Sequence, residues 1–315
     1  MALALSGCNR RQSTFATFGE EAAAIDHLAL VMTIGAVAVA IGVAALMIWA
    51  MRARPGALSL RGGERLILIA GGLLPVLLLL VLLGYSLPVM RPRAVAPADM
   101  RIDVTGEQFW WRVGYAPPGG NPVTTANEIR VPVGRTVLFR LRGADVIHSF
   151  WIPGLAGKMD MIPGRTNELV VRAVRPGLFR GQCTEFCGLS HALMAFDVVA
   201  MEPDAFERWL ASQRQPAAAT APATAHVGAA LFSRYGCGGC HTVRGTGQDG
   251  AIGPDLTHVG GRRTIAAGAL PNGEEAIAHF IRYPARTKPG VRMPAFPHMS
   301  EADAHAIARY LGDLR

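Results

Sequence analysis

Two long stretches without a charged side chain set the plan of the chain. Leu28 to Ala50 and Leu66 to Met90 each exceed the roughly 20 residues needed to cross a bilayer core. One such run could be a buried core helix, but two predict a transmembrane helix hairpin over 28–90. Gly71, Gly72, Pro75 and Gly84 fall inside the second run, and membrane helices tolerate such residues. The connecting loop, Met51 to Arg65, holds Arg52, Arg54, Arg61 and Arg65 against Glu64. Short basic loops stay inside, so everything beyond residue 91 is expected on the outer face. Arg91, Arg93 and Arg101 at the outer end count slightly against this orientation.

Beyond the hairpin the apolar period shortens to two. Val137, Phe139 and Leu141 alternate, as do Leu169 and Val171, and Ala195 to Met201 is a mostly apolar run. Short strands with Gly and Pro turns predict an all-β sandwich or barrel over 99–212. Residues 213–225 are rich in Ala, Pro and Thr and read as a semi-flexible tether. Helical periodicity follows over 226–315. Ala225 to Tyr235 gathers Val227, Ala230 and Leu231 on one side, and Ala302 to Leu314 carries Ile307, Tyr310 and Leu311. The expected fold is therefore multidomain: a two-helix membrane hairpin, an all-β domain and an all-α domain. The first 27 residues contain Leu5-Ser6-Gly7-Cys8, which resembles a bacterial lipoprotein processing box with Cys8 as the lipid-bearing residue. Seven residues are too few for a signal peptide, so the true start is expected further upstream.

Half of the 315 residues are hydrophobic, only 17% are charged, and mean hydropathy is +0.27. These values exclude a disordered or collagen-like chain. The net charge of +8 comes from residues 1–98 and 213–315, while 99–212 balance 12 basic against 12 acidic groups; no segment has a Lys/Arg stripe, so a nucleic-acid partner is not expected.

The five cysteines are Cys8, Cys183, Cys187, Cys237 and Cys240. Cys237-Gly238-Gly239-Cys240-His241 has the form of a c-type haem attachment site. Two thiols one turn apart can add to the two vinyl groups of a haem, leaving His241 beneath the iron. A zinc half-site would need a second CxxC or HxxxH, and neither occurs nearby. A thioether opposite the histidine would raise the haem potential. Met293 is the first candidate, because Pro294 holds it extended in a loop, and Met299 is its competitor.

The other pair lies in Gln182-Cys183-Thr184-Glu185-Phe186-Cys187-Gly188-Leu189-Ser190-His191-Ala192-Leu193-Met194. Two thiolates, an imidazole and a thioether form a soft ligand set suited to copper. A zinc site is the competing reading, though zinc has less use for Met194. Two cysteines on one loop can bridge two copper ions, and each copper then needs a terminal histidine. His148, at an expected strand end, is the candidate for the second.

With these motifs in place, the chain resembles subunit II of a haem–copper cytochrome c oxidase of the caa3 type, with a cytochrome c fused behind a cupredoxin domain. The resemblance covers nearly the whole chain. It implies a binuclear CuA centre on His148, Cys183, Cys187, His191 and Met194, with the Glu185 carbonyl as a further ligand. It also implies a magnesium ion bound by the Glu185 carboxylate at the subunit I interface, and Asp160 matches a family motif near that interface. Gly253-Pro254-Asp255-Leu256 resembles the cytochrome c loop whose carbonyl holds the proximal imidazole.

The family's leading aromatic, a common point where electrons arrive, is Phe109 here. Donor docking is then expected to differ, or Trp110 or Trp111 to serve, with core packing as the other role for all three. The resemblance places the protein in the bacterial inner membrane, with subunit I (haem a/a3–CuB), subunit III, lipid and a periplasmic donor such as cytochrome c as partners. The implied electron order is donor, haem c, CuA, then subunit I, where oxygen is reduced and protons are pumped. No residue of this chain does bond-making chemistry. Alternatives are the small subunit of a CuA-containing nitric oxide reductase and a membrane-tethered electron carrier or copper-handling lipoprotein. Glu64 is expected to be a cytoplasmic loop charge rather than a proton-channel residue.

Overall fold

The computed structural model describes residues 9–90, 98–116, 122–217 and 223–315. Cys8, the candidate lipidation site, lies outside the described residues. The chain divides into two compact units, 23–94 and the remainder.

The smaller unit is a helical hairpin. Helix α1 spans Glu20–Arg52; α2 (Leu60–Leu66) widens into π-helical turns over Ile67–Leu73 and continues as α3 (Leu74–Met90). Both arms are long and apolar enough to span a membrane. Helix α1 begins inside the 1–27 segment, ahead of the uncharged run. Glu20 and Glu21 occupy its first turn, where the helix dipole favours acids. The Ser59 side chain caps α2 by accepting the Gly62 N–H at 3.1 Å. No residue of α2 or α3 is buried, so their apolar surface calls for hydrocarbon or a partner to cover it.

The larger unit contains a ten-stranded sandwich. Its strands are β1 (Met100–Glu107), β2 (Trp110–Ala116), β3 (Val123–Ala126), β4 (Glu128–Pro132), β5 (Thr136–Gly143), β6 (His148–Trp151), β7 (Met159–Met161), β8 (Asn167–Arg172), β9 (Gly177–Cys183) and β10 (Ala195–Met201). One sheet runs β3-β2-β1-β5-β8 and the other β4-β10-β9-β6-β7. The expected alternation places Val137, Phe139 and Leu141 in the core, joined by Trp111, Val113 and Tyr115 from β2 and Phe150 from β6. The domain is not purely β, however. Helix α4 (Pro203–Arg214) follows β10, with Pro203 in its first turn, and buries Phe206 and Leu210 on the sandwich.

Residues 9–19 also pack on this sandwich, which the sequence did not announce. Phe18 is fully buried and stacks on Phe179 with ring centroids 3.4 Å apart. Its N–H donates to the Gly154 carbonyl at 2.7 Å, and Arg180 N–H donates to the Arg11 carbonyl at 2.8 Å.

The last domain is built from α5 (Ala223–Arg234), α6 (Glu274–Arg282), α7 (Pro284–Thr287) and α8 (Glu301–Asp313), with two small two-stranded ladders between α5 and α6. Helices α5 and α8 cross closely at Gly228, where a Cβ would collide with the Ala306 carbonyl and Tyr310. Phe232, Ile277, Ile307, Tyr310 and Leu311 share the core. The expected tether is fastened at its described end. Ala217 N–H donates to the Arg244 carbonyl at 2.9 Å, Arg244 Nη2 donates to the Gln213 carbonyl at 2.7 Å, and His258 Nε2 lies 3.1 Å from the Gln215 carbonyl.

Phe18→Ala is expected to destabilise the sandwich by about 3–5 kcal/mol, the usual cost of an aromatic truncation in a closed core. Denaturant unfolding of the full chain, followed by tryptophan fluorescence, measures it.

Candidate metal centre and haem pocket

At one end of the sandwich, β9 delivers Cys183 and β6 begins with His148, while the loop from Thr184 to Met194 folds back between β9 and β10. Backbone bonds hold the loop at both ends: Thr184 N–H donates to the Ser149 carbonyl and Cys183 N–H to the Met194 carbonyl. The donor atoms converge. Cys183 Sγ lies 3.8 Å from Cys187 Sγ, 3.9 Å from His148 Nδ1 and 3.2 Å from the Glu185 carbonyl. Cys187 Sγ lies 3.6 Å from His191 Nδ1 and 3.8 Å from Met194 Sδ. Among the described residues, His148, Cys183 and Cys187 form a buried metal-capable group with donor atoms within 4.8 Å of one another.

The surroundings prepare these donors. His148 Nε2 is 2.9 Å from Asp145 Oδ1. A proton held there leaves the Nδ1 lone pair facing the sulfurs, the arrangement metal-binding histidines need. Burial pushes the His148 pKa down, but Cys183 and Asp145 more than reverse it, so its direction is up. Burial also works against ionisation of Asp145. The Gln108 N–H, the His148 ring and the Val146 N–H outweigh it and hold the carboxyl below its ordinary value. The cysteines are free and share their hydrogen bond, so one thiol loses its proton readily and the other resists. A soft cation between the sulfurs would relieve that resistance. Gly106 makes room: a Cβ there would sit 2.9 Å from the His148 ring.

The second site is a cavity of about 440 Å³ lined by Cys237, Cys240, His241, Pro254, Leu256, Met293 and Phe296. Cys237–Gly239 forms a single 3₁₀ turn that brings both thiols and His241 to one wall. His241 Nδ1 is 2.8 Å from the Pro254 carbonyl. Burial, with Arg262 adding to it against the Pro254 bond, lowers its pKa. A neutral ring with its proton on Nδ1 leaves Nε2 free to bind a metal. Met293 lines the cavity, whereas Met299 is 1% exposed inside the core with Phe232 and Ile307. An apolar chamber with two thiols, a free imidazole nitrogen and a thioether suits haem c.

The aromatic triplet separates by role. Trp111 is fully buried against Phe150 and Phe196, whereas Phe109 and Trp110 line the haem cavity. Gln108 lines it too, and its Nε2 donates to the Cys187 carbonyl at 2.6 Å. Sequence reasoning passed over Gln108, Asp145 and Lys288. Lys288 is buried, and its Nζ donates to the carbonyls of Phe109, Leu193 and Ala266. Burial pushes its pKa down to about 7, with Cys187 pulling the other way.

Residues 119–201 match the family described as cytochrome c oxidase subunit II, periplasmic domain, and residues 225–315 match cytochrome c. The chain belongs to the cytochrome c oxidase subunit II family. Cytochrome c oxidase subunit 2 of Alkalihalophilus pseudofirmus is 42% identical over 214 residues, covering 68% of this chain and 61% of that protein. The Bacillus subtilis protein of the same name is 29% identical over 273 residues, covering 80% and 76%. The crystal structure of the periplasmic domain of subunit II of cytochrome oxidase of Bradyrhizobium japonicum covers 38% of this chain and 97% of its own, at 34% identity and a TM-score of 0.36. The chain thus spans about three-fifths of the length of the first of these relatives. A subunit II domain implies a CuA-type copper site, and a cytochrome c domain implies haem c.

Asp145→Asn is expected to weaken copper binding by roughly 10–100-fold, the usual cost of losing the partner of a metal-bound histidine; competition with a chelator of known affinity measures it. Because the Asp145 pKa is depressed on folding, the carboxylate stabilises the fold above its unfolded pKa and ceases to as pH falls through the folded value. Acid unfolding of the metal-free variant should accordingly be shallower than that of the wild type.

Proposed function

We propose that this chain is the electron-delivery subunit of a haem–copper terminal oxidase in a bacterial inner membrane. It takes electrons from an exterior donor such as a soluble cytochrome c and passes them to the haems of subunit I. There oxygen is reduced to water with proton pumping, and subunit III completes the complex. The carrying observation is that one compact unit holds the soft sulfur–imidazole cluster and the CxxCH cavity with Gln108 between them, lining the cavity and hydrogen-bonded to Cys187.

His148, Cys183, Cys187, His191 and Met194, with the Glu185 carbonyl, would hold the copper pair. Cys237 and Cys240 would anchor the haem, with His241 and Met293 on its iron. When bound, these groups supply reversible one-electron chemistry. The chain's own residues do the positioning: Asp145 fixes the His148 ring, Pro254 fixes the His241 ring, and the sandwich keeps both sulfurs out of water. The cytochrome domain is the receiving side. The copper loop is the delivering side, where Phe186 stands 76% exposed with its ring 5.7 Å from that of His191, an apolar contact suited to a membrane partner.

Magnesium would bind at Glu185 on the same side. Nearby, Ser149 Oγ, Thr184 Oγ1 and Asp160 Oδ1 are buried without hydrogen-bond partners. Ser149 pairs with Asp160 across β6 and β7, and its carbonyl holds the Thr184 N–H. A cation or water in contact with this group would satisfy oxygens that are costly to bury alone.

The test is the full chain produced with haem maturation and copper, with metals counted and paramagnetic resonance recorded. About two coppers per haem iron, with one unpaired electron delocalised over both coppers, is the expected result. Zinc, a single mononuclear copper or no covalent haem overturns the assignment at that site.

A further inference from the structure

The short segment that leads into Met293 makes an unusual set of contacts. It is the loop Lys288-Pro289-Gly290-Val291-Arg292, and it lies on the backbone that carries the copper ligands. Lys288 is 2% exposed, and its three ammonium protons match three backbone carbonyls. Phe109 accepts at 2.6 Å and Leu193 at 2.9 Å from the sandwich side, while Ala266 accepts at 3.1 Å from the cytochrome side. Leu193 is the residue before Met194. Ser190, fully buried and next to His191, donates its hydroxyl to the Pro289 carbonyl at 2.7 Å. Arg292, next to Met293, pairs at 3.1 Å with Asp145, the carboxylate that holds His148. One loop therefore reaches the immediate neighbours of His191, Met194 and His148.

A second element grips the same edge. A hairpin pairs Thr264–Ile265 with Leu270–Pro271, and its tip runs through Ala266, Ala267 and Gly268. All three tip residues have positive φ, at 53°, 55° and 75°. Two consecutive alanines in that region are strained, and such strain persists only where surrounding contacts impose it. The contacts are present. Ala195 N–H donates to the Ala267 carbonyl at 3.0 Å, and Arg180 Nη1 to the Gly268 carbonyl at 3.1 Å. Thr264 Oγ1 donates to Asp197 at 2.6 Å, and Arg263 N–H to Glu128 at 2.9 Å. Ala267 is buried within the sandwich core rather than that of its own domain.

We infer that Lys288–Arg292 and the hairpin tip Ala266–Gly268 form a docking clamp that seats the haem-bearing loop on the copper-ligand backbone, so that the cytochrome domain works from one fixed position instead of swinging on its linker. Lys288 is the positioning residue at its centre, because its ammonium joins two sandwich carbonyls, Phe109 and Leu193, to the hairpin carbonyl of Ala266. A flexible link would need only weak, exposed contacts. A buried lysine without a carboxylate partner is instead a commitment that holds only while the seam stays closed. The consequence for transfer rests on the relay reading above; the seating itself does not.

The test uses the full chain in detergent. The Ala195 amide, bonded to the Ala267 carbonyl, reports the seam by hydrogen–deuterium exchange with or without cofactors. The clamp predicts a strongly protected amide in the wild type and exchange at least tenfold faster in Lys288→Met. It also predicts an intramolecular haem-to-copper transfer rate at least tenfold lower after flash reduction of the loaded variant, with metal counts and haem spectrum unchanged. Thr264→Val, which removes only the Asp197 bond, is the second variant should Lys288→Met not fold, and it should speed exchange in the same direction. A wild-type Ala195 amide that exchanges like an open loop overturns the clamp, as does a folded Lys288→Met with exchange and transfer both within twofold of wild type. A wild-type chain that binds no copper overturns the relay reading while the exchange result still decides the clamp.

Discussion

Two sulfurs held 3.8 Å apart inside a protein are a constraint that the rest of the molecule must meet. Left alone, the pair would oxidise to a disulfide or repel once ionised. The sandwich fixes the loop from two directions, with β9 bearing Cys183 and the start of β10 tying back through Met194, and a soft cation between the sulfurs would relieve both tendencies. The returning loop divides its side chains: Cys187 and Met194 turn inward beside Cys183, while Phe186 and Leu189 stay exposed. The aromatic packing of Trp111, Phe150 and Phe196 keeps that end of the sandwich rigid.

The same logic explains why so many contacts converge on Asp145. It receives the Gln108 and Val146 N–H groups, holds the His148 ring and pairs with Arg292. A carboxylate with this many donors is a fixed point rather than a surface charge. Through it the copper end of the sandwich and the loop before Met293 share one anchor. Gln108 makes a parallel link, from the haem cavity to the Cys187 carbonyl.

What could be read from the sequence was local. CxxCH and the Cys183-to-Met194 run announce their chemistry because their ligands lie within a few residues of one another, and spacing encodes geometry there. The hairpin was legible because hydrocarbon demands length and apolarity and little else. Strand alternation exposed the sandwich but not α4, whose apolar anchors are just Phe206, Trp209 and Leu210 in a short polar run. Phe18, Asp145 and Lys288 were not legible. Phe18 and Lys288 act through partners far along the chain, Phe179 and Phe109, and nothing beside them in sequence marks the pairing; Asp145 lies only three residues before His148, but a loop acid carries no mark of the ring it holds. Lys288 is also an ordinary exposed residue by type, so its burial is a tertiary fact. The Ala, Pro and Thr composition of 213–225 suggested freedom, yet the side chains of Arg244 and His258 fasten its described end.

The widened turns over Ile67–Leu73 show how differently the two halves of the protein tolerate a change of phase. Adding one residue to a helical turn rotates everything beyond it by about 100°. In the Leu60–Met90 arm this costs little, because α3 is apolar on every side and whichever face turns outward is as oily as the one it replaces. The identical slip in α8 would carry Ile307 and Leu311 out of their core and bring Asp303 or Arg309 toward it. The Leu60–Met90 arm thus presents a similar oily surface at any angular setting, while α8 is bound to one.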